Sequence, residues 1–261
     1  MKLIVCIKQV PDTAEVKLDP KTGRLIRDGV PSIINPDDKN ALEAALRIKD
    51  ENEGSTVTVV SMGPLQADIA MREALAMGAD EAILISGREF GGSDTWATSY
   101  IIATALKKIG DYDMILCGRQ AIDGDTAQVG PQIAEQLGIA QITYARDIKL
   151  NGRTVTVERM LEDGFQVVEA ELPVLITAIK ELNTPRYMTP RGIYEAYEKQ
   201  VKIWGFADVP VDEAKIGLKG SPTNVNKTFS PEQKGKGEML EGADRNTVKT
   251  LVEKLGAKHL L

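Results

Sequence analysis

Residues 56–86, TVTVVSMGPLQADIAMREALAMGADEAILIS, decide the fold. Residues 56–61 and 82–86 are apolar runs of strand length. Between them, residues 65–77 carry apolar side chains at three- and four-residue spacing, which is typical of an amphipathic helix. Strands that are apolar on both faces are typical of parallel sheets, and the crossover between two such strands is right-handed. This stretch therefore predicts a strand–helix–strand unit with parallel strands.

The same alternation extends in both directions from this unit. Further apolar runs occur at residues 2–7 and 113–117, and further helical patterns at residues 37–49, 95–109 and 126–137. Strands that alternate with helices predict an α/β fold with a doubly wound, mostly parallel sheet of the Rossmann-like type.

Beyond residue 139 the pattern changes to short strands. Residues 149–157 predict a hairpin around Asn151 and Gly152, and residues 167–170 and 173–178 predict two added strands. We therefore expect small added strands at one side of the sheet.

The last third of the chain lacks a core of its own. From residue 183 it is rich in Pro, Gly and Lys, with almost no apolar period until residues 244–255, which predict a capped helix. Such a stretch is typically either a disordered tail or an arm that docks on a partner. We therefore divide the chain into a core, residues 1–182, and an extended C-terminal arm, residues 183–261.

The composition excludes several classes of protein. The 261 residues include 32 Lys and Arg, 38 Asp and Glu and one His, for a net charge of −6. An acidic chain without a dense basic stripe argues against nucleic-acid binding, because phosphates require clustered positive charge. No apolar run approaches the roughly 20 residues of a membrane span, and residues 1–8 are too short for a signal peptide. We therefore expect a cytoplasmic protein.

The single His and the two Cys do not predict a metal site or a catalytic pair. His259 is near the end of the sequence, and Cys6 and Cys117 lie on well-separated apolar segments. This distribution argues against zinc chemistry and against Cys–His catalysis. Both thiols are more typical of core residues than of nucleophiles.

Ligands of open parallel sheets bind beyond the carboxyl ends of the strands. The most informative strand end is followed by residues 118–130, GRQAIDGDTAQVG, which we call the 118–130 loop. We expect it to open a helix near Thr126, whose free amides suit a phosphate. Because carboxylates repel phosphate, Asp123 and Asp125 are better assigned to capping, to ribose hydroxyls or to holding the loop. A simple turn and cap without any ligand is an equally good interpretation of these residues.

A second loop, residues 90–95, FGGSDT, also leads into a helix. Gly91 and Gly92 allow close approach of a ligand to the backbone, and Ser93 or Asp94 is a good helix cap. From local sequence, capping is favoured over ligand binding. Two such loops at one sheet edge, however, suit a ligand with two phosphates.

Seven segments together resemble the β-subunit of electron-transfer flavoprotein. They lie in order along most of the chain: KQVPD (8–12), INPD (34–37), SMGP (61–64), ALAMGAD (74–80), the 118–130 loop, VERMLEDGFQVVEAELPVLIT (157–177) and NTPRY (183–187). The resemblance implies a Rossmann-like core similar to that of the adenine nucleotide alpha hydrolase group, in a heterodimer with an α-subunit. It also implies a bound nucleotide, which is AMP in ordinary members and a second FAD in electron-bifurcating members.

The resemblance carries the family's nucleotide contacts onto one edge of the predicted sheet. The implied residues are Cys6, Asn35, Asp37, Met62, Gly63, Pro64, Arg119, Gln120, Ala121, Asp123, Gly124, Asp125, Thr126, Ala127, Gln128 and Val129. The 90–98 segment is similar to that of the bifurcating type and adds Gly91, Gly92, Ser93, Asp94 and Thr95.

Departures from the AMP-binding pattern favour the bifurcating type. Gly124, Thr126, Ala127 and Val129 are small where ordinary members have bulkier or more polar residues, and Thr13 replaces a frequent aromatic residue. This type implies that FAD accepts hydride from NADH and sends one electron to ferredoxin or flavodoxin and the other, through the α-subunit FAD, to an acyl-CoA dehydrogenase. The flavin would supply the chemistry, so no side chain need be catalytic.

Several alternatives remain open at this point. One is a non-bifurcating electron carrier that holds AMP as structural support, another is a nucleotide sensor without redox chemistry, and a third is a structural partner without any nucleotide. Arg119 would stabilise a reduced anionic flavin or a phosphate, or else is a solvated residue at a strand end.

The resemblance also implies a docking loop for the dehydrogenase. It falls on Tyr187, Met188, Thr189, Pro190, Arg191 and Ile193, with Pro190 where many members have an exposed Leu. The arm that follows would wrap around the α-subunit.

Overall fold

The computed structural model describes residues 1–12, 31–227, 235 and 237–261. The described residues form two compact units, Met1–Val225 and Asn226–Leu261. The sheet lies in the first unit and the terminal helix in the second. Thr13, on which part of the bifurcating assignment rests, lies outside the described residues.

The strands and helices follow the predicted alternation. The strands are β1 (Lys2–Cys6), β2 (Gln9–Pro11), β3 (Ser32–Ile34), β4 (Thr56–Met62), β5 (Glu81–Ile85), β6 (Met114–Gly118), β7 (Ala140–Asn151), β8 (Thr154–Met160), β9 (Phe165–Glu171), β10 (Val174–Ala178) and β11 (Val201–Trp204). The helices are α1 (Pro36–Glu51), α2 (Asp68–Met77), α3 (Thr95–Ile109), α4 (Val129–Leu137), α5 (Pro190–Glu198), α6 (Gly217–Gly220) and α7 (Arg245–Ala257).

Nine strands form one sheet in the order β11-β5-β4-β1-β6-β10-β7-β8-β9. Neighbouring strands from β11 to β7 are parallel, and β7, β8 and β9 are antiparallel. Strands β2 and β3 form a separate antiparallel pair. The predicted α/β fold with a mostly parallel sheet and small added strands is therefore confirmed.

Helices cover both faces of the parallel part of the sheet. Because side chains alternate along a strand, Leu3 and Val5 pack in the core with α1 and α2, whereas Ile4 and Cys6 pack in the core with α3 and α4. Burial on both faces explains why these strands are continuous apolar runs.

Strand β1 lies at the point where the strand order reverses. The chain passes from β1 through α1 to β4 and β5 on one side, and then returns through α3 to β6 on the other side of β1. Cys6 at the end of β1 is the register partner of Cys117 on β6. A crevice between these two strand ends is the expected ligand position in such a sheet.

The structure corrects the predicted start of one helix. The pattern places it at Thr126, but α4 begins at Val129. Asp125 and Ala127 adopt left-handed backbone conformations, with φ of 51° and 52°, which are incompatible with a right-handed helix.

The arm also differs from its prediction. The pattern predicts no regular structure before the terminal helix, yet β11 pairs in parallel with β5 at the edge of the sheet. Val209 and Ile216, further along, are buried in the same core cluster as the apolar residues of α3. Part of the arm therefore belongs to the first unit. Among the described residues, no helix has the length and apolar character needed to cross a membrane.

Candidate functional site

Two neighbouring cavities open at the carboxyl edge of the sheet. The first has a volume of about 380 Å³ and lies over the ends of β1 and β6. The second has a volume of about 630 Å³ and lies over the ends of β4 and β5. Lys8, Met62 and Ser93 line both cavities, so the two are contiguous.

Most of the predicted cofactor residues surround these cavities. The first cavity is lined by Cys6, Met62, Ser93, Asp94, Thr95, Arg119, Gln120, Ala121, Gly124, Thr126, Ala127, Gln128 and Val129. The second is lined by Met62, Gly63, Pro64, Gly91, Gly92 and Ser93. Asn35, Asp37, Asp123 and Asp125 are not part of either lining.

Asn35 lies beneath the 118–130 loop and is fully buried. Its Nδ2 donates to the backbone oxygen of Gln120 at 2.8 Å, and its Oδ1 accepts from the backbone N–H of Ile122 at 3.0 Å. Both ends of the amide are thus used by the loop backbone. Asn35 therefore shapes the loop rather than lining the cavity.

Asp38 lines the first cavity and was missed by the sequence prediction, which selected Asp37. Its two carboxylate oxygens accept the backbone N–H of Gly118 and of Lys8, each at 2.8 Å. Asp38 thereby joins the ends of β6 and β1 across the crevice. Burial raises the pKa of Asp38 to about 7, although both amide hydrogen bonds favour the carboxylate. A side chain at Gly118 would collide with Asp38.

The carboxylates of the loop are engaged in local contacts. Asp123 forms an ion pair with Lys8 at 2.6 Å, and Asp125 accepts a hydrogen bond from the Gln120 side chain. These contacts agree with the predicted role of holding the loop. They also reduce the repulsion that free carboxylates would exert on an anionic ligand.

Arg119 is a cation at the rim of the first cavity. Its Nε lies 3.4 Å from Asp37 Oδ2 but makes no hydrogen bond, and its guanidinium lies 5.9 Å from the centroid of the Tyr144 ring. Burial raises the pKa of Asp37, and the charge of Arg119 counters that rise. The guanidinium therefore places a positive charge at the rim of the cavity, and Asp37 balances part of it.

The 90–95 loop is ordered by capping contacts. Asp94 Oδ1 accepts from the Ala97 N–H at 3.0 Å, which confirms the predicted cap, and Asp94 Oδ2 accepts from the Thr223 N–H at 2.9 Å. Burial opposes ionisation, but these hydrogen bonds hold the pKa of Asp94 below its usual value. Thr95 Oγ1 donates to Gln128 Oε1 at 2.9 Å, which joins this loop to the 118–130 loop.

The two cysteines lie closer together than the sequence suggests. Cys6 and Cys117 are neighbours on adjacent strands and line the floor of the first cavity. Burial raises the pKa of Cys6 to about 12 and that of Cys117 well above its usual value. Both are therefore neutral thiols, as predicted for core residues. Within the described ranges, no cluster of His, Cys, Asp and Glu has the geometry of a metal site.

The chemistry of the first cavity fits a nucleotide. Its floor is apolar, formed by the two thiols with Ile102 and Ile133, and its rim carries backbone amides and Arg119. An apolar slot with a few polar groups is typical of such sites, and amides at a helix start suit phosphate.

The predicted docking residues are exposed, and they lie within residues 183–193, which we call the 183–193 segment. Thr189 Oγ1 accepts from the Gly192 N–H at 2.9 Å and begins helix α5. Tyr187 is 95% exposed, and Met188 and Ile193 are also exposed. Tyr194 and Tyr197 are exposed as well, so residues 187–197 present several large apolar and aromatic side chains to solvent.

Comparison with known proteins identifies relatives along the whole chain. The model of the electron transfer flavoprotein domain matches residues 22–209. Electron transfer flavoprotein subunit beta of Clostridium acetobutylicum is 57% identical, and caffeyl-CoA reductase-Etf complex subunit CarD of Acetobacterium woodii is 56% identical. Acryloyl-CoA reductase electron transfer subunit gamma of Anaerotignum propionicum is 54% identical. Each alignment covers 100% of both chains.

Proposed function

Because the chain belongs to the electron transfer flavoprotein family, as a β-subunit, we propose that it binds FAD along the two contiguous cavities. The carrying observation is that the first cavity adjoins a larger one at the same edge of the sheet and shares three lining residues with it. A mononucleotide needs only one of them. A dinucleotide such as FAD has the length to use both.

The residues of each cavity suit different parts of FAD. The apolar floor of the first cavity suits the adenine, and the linked side chains of Thr95 and Gln128 lie where the two loops meet, which suits the pyrophosphate. Gly92, with φ of 78°, has a left-handed backbone that favours glycine and lets the 90–95 loop turn at the edge of the second cavity. Ser61 also lines that cavity, and its buried hydroxyl has no partner among the described residues, which supports a polar group there.

Bound FAD would accept hydride from NADH and deliver its electrons singly, one to ferredoxin or flavodoxin and one through the α-subunit FAD to an acyl-CoA dehydrogenase. In this scheme the side chains of the chain bind and orient. Arg119 and Lys8 would balance negative charge, Asn35 and Asp38 would fix the loop, and the neutral thiols would provide an apolar floor. We place this chemistry in the cytoplasm.

The names of the relatives support this choice of partner. CarD belongs to a caffeyl-CoA reductase complex, and the gamma subunit of Anaerotignum propionicum to an acryloyl-CoA reductase. Both names refer to reduction of a CoA thioester. We therefore propose an acyl-CoA dehydrogenase as the partner, docked on the exposed 183–193 segment.

The alternative is AMP in the first cavity as structural support, in a carrier that does not bifurcate. The first cavity, with a volume of about 380 Å³, is by itself of a size for a small ligand, and this favours the alternative. The second cavity would then have no ligand to bind.

Counting nucleotides tests the two functions. The chain is co-expressed with its α-subunit, the purified heterodimer is denatured, and the released FAD and AMP are quantified by chromatography. Two FAD per heterodimer are expected, followed by NADH-dependent reduction of ferredoxin. One FAD with one AMP would overturn the proposal in favour of the AMP-binding carrier.

A further inference from the structure

The 183–193 segment begins with backbone that has no regular structure. Residues 183–189 belong to neither a helix nor a strand. Their anchors are side chains of helix α1. Asn40 Nδ2 donates to the Asn183 backbone oxygen at 2.7 Å, and Asn183 Nδ2 donates to the Asn40 backbone oxygen at 2.9 Å.

Glu43 on α1 is the strongest of these anchors. It is only 3% exposed, and its Oε2 accepts from the backbone N–H of Arg186 at 3.1 Å and from Arg186 Nε at 2.8 Å. Arg47 Nε donates to Glu43 Oε1 at 2.9 Å, and Arg186 Nη2 donates to Asp50 at 2.8 Å. Burial opposes ionisation of Glu43, but the hydrogen bonds from Arg186 and Arg47 lower its pKa. A buried, charge-assisted cluster of this kind holds a backbone position firmly.

A second fixed point follows the exposed residues. Gly192, in the first turn of α5, packs so closely on the backbone oxygen of Ala76 that a Cβ would collide with it. Tyr187 and Met188 therefore lie between two anchors, Arg186 on one side and Gly192 on the other. Their exposed side chains are displayed by backbone that is fixed at both ends.

We propose that Glu43 is a positioning residue that fixes the 183–193 segment in the conformation that docks the acyl-CoA dehydrogenase. This inference rests on the docking function proposed above. Glu43 lines neither cavity, so its effect on electron transfer is expected through docking and not through the nucleotide site. It acts through Arg186 and touches neither the nucleotide nor the partner.

The test uses the Glu43→Gln heterodimer and a purified short-chain acyl-CoA dehydrogenase. Loss of the charge-assisted contact should raise the KM for the dehydrogenase by about tenfold, with kcat and flavin content unchanged. Glu73→Gln is the matched control. It removes the ion pair between Glu73 on α2 and Lys39, which lies on α1 like Glu43, and this ion pair does not include the segment. Equal KM values for wild type and Glu43→Gln would overturn the proposal.

A milder variant and a partner-independent measurement complete the test. Asp50→Asn weakens only the outer contact to Arg186 and should raise KM in the same direction by less. Glu43→Gln should also speed amide exchange in residues 184–191 and leave the 118–130 loop unchanged. If the wild type does not transfer electrons to the dehydrogenase, the docking function fails, while unchanged exchange in the variant would overturn the positioning by Glu43.

Discussion

The 118–130 loop and the 183–193 segment are both held by helix α1, but through different chemistry. Asn35, at the N-terminal cap of α1, and Asp38 in its first turn make hydrogen bonds to the loop backbone. Further along α1, Glu43 holds both the backbone N–H and the guanidinium of Arg186. The contacts of Asn35 and Asp38 are with backbone groups of the loop, whereas Glu43 also holds a charged side chain of the segment. The side chains that follow Arg186 remain exposed.

The two anchors also differ in their ionisation. Burial raises the pKa of Asp38 to about 7, whereas hydrogen bonds from two arginines outweigh burial and lower the pKa of Glu43. Asp38 is thus less costly to bury when it is neutral, whereas Glu43 stabilises the fold as an anion.

The largest effect is expected for a substitution in the 118–130 loop. Gly124→Trp should remove FAD from this subunit and leave the α-subunit flavin bound, because Gly124 lines the first cavity and a Cβ at this position meets no other atom, so the loop can keep its conformation. Flavin per heterodimer is the measurement. Gly164→Trp is the matched control, since that position is equally open and lies in a turn far from both cavities along the sheet. Full flavin content in Gly124→Trp would contradict the cavity assignment.

Asn35→Ala tests the backbone anchor. It leaves the backbone groups of Gln120 and Ile122 without their buried partners, so the free energy of unfolding should fall by about 1–3 kcal/mol. Nucleotide affinity should fall with it, because the loop loses its support. Urea unfolding and nucleotide titration measure the two effects. Asn52→Ala, which removes a hydrogen bond at the other end of α1, should lower stability without changing nucleotide affinity.

The opposite pKa shifts predict opposite pH dependence. The folded pKa of Asp38 exceeds its ordinary value of 3.8, so its contribution to stability is present below 3.8 and is lost as the pH rises to about 7. The folded pKa of Glu43 is below 4.5, so its contribution is present above 4.5 and is lost as the pH falls. Urea midpoints of wild type against Asp38→Asn and Glu43→Gln, measured across this range, should diverge in opposite directions. Parallel curves would contradict the assigned shifts.

The smallest effect is expected for the thiols. Cys6→Ser and Cys117→Ser should leave electron transfer nearly unchanged, because both thiols are neutral and serve as floor. Steady-state transfer to the dehydrogenase measures this in flavin-replete protein. A large loss in a folded variant would assign a chemical role to a thiol.

Much of the fold follows from periodicity alone. Strands β1, β4, β5 and β6 are apolar on both faces, and such runs are distinct from the helical spacing between them. Strand β11 could not be predicted in this way, because VKIW is short and its Lys202 and Ile203 are exposed at the sheet edge. The predicted start of α4 is wrong because Asp125 and Ala127 have left-handed backbone, which is rare for Ala and is not specified by the local pattern.

The candidate site was predictable as a location but not as a set of contacts. Strand ends and glycine-rich loops predict the crevice, and most of the selected residues line it. The selected Asn35 and Asp37 do not line the first cavity, whereas Asp38, which was not selected, does, because which side chain faces the cavity depends on how α1 meets strands from distant parts of the sequence. The signal available was the pair of acidic residues Asp37 and Asp38 after Pro36, which leaves the choice between them open.

The edge position of β11 has a practical consequence for shortened forms of the protein. Its backbone pairs with β5, and Lys202 forms an ion pair with Glu81 at 2.8 Å. A chain cut after residue 199 would leave the AILI side of β5 as a bare sheet edge, open to pairing with other chains. Such a fragment is expected to aggregate during expression, whereas a cut after Val225 keeps that edge covered.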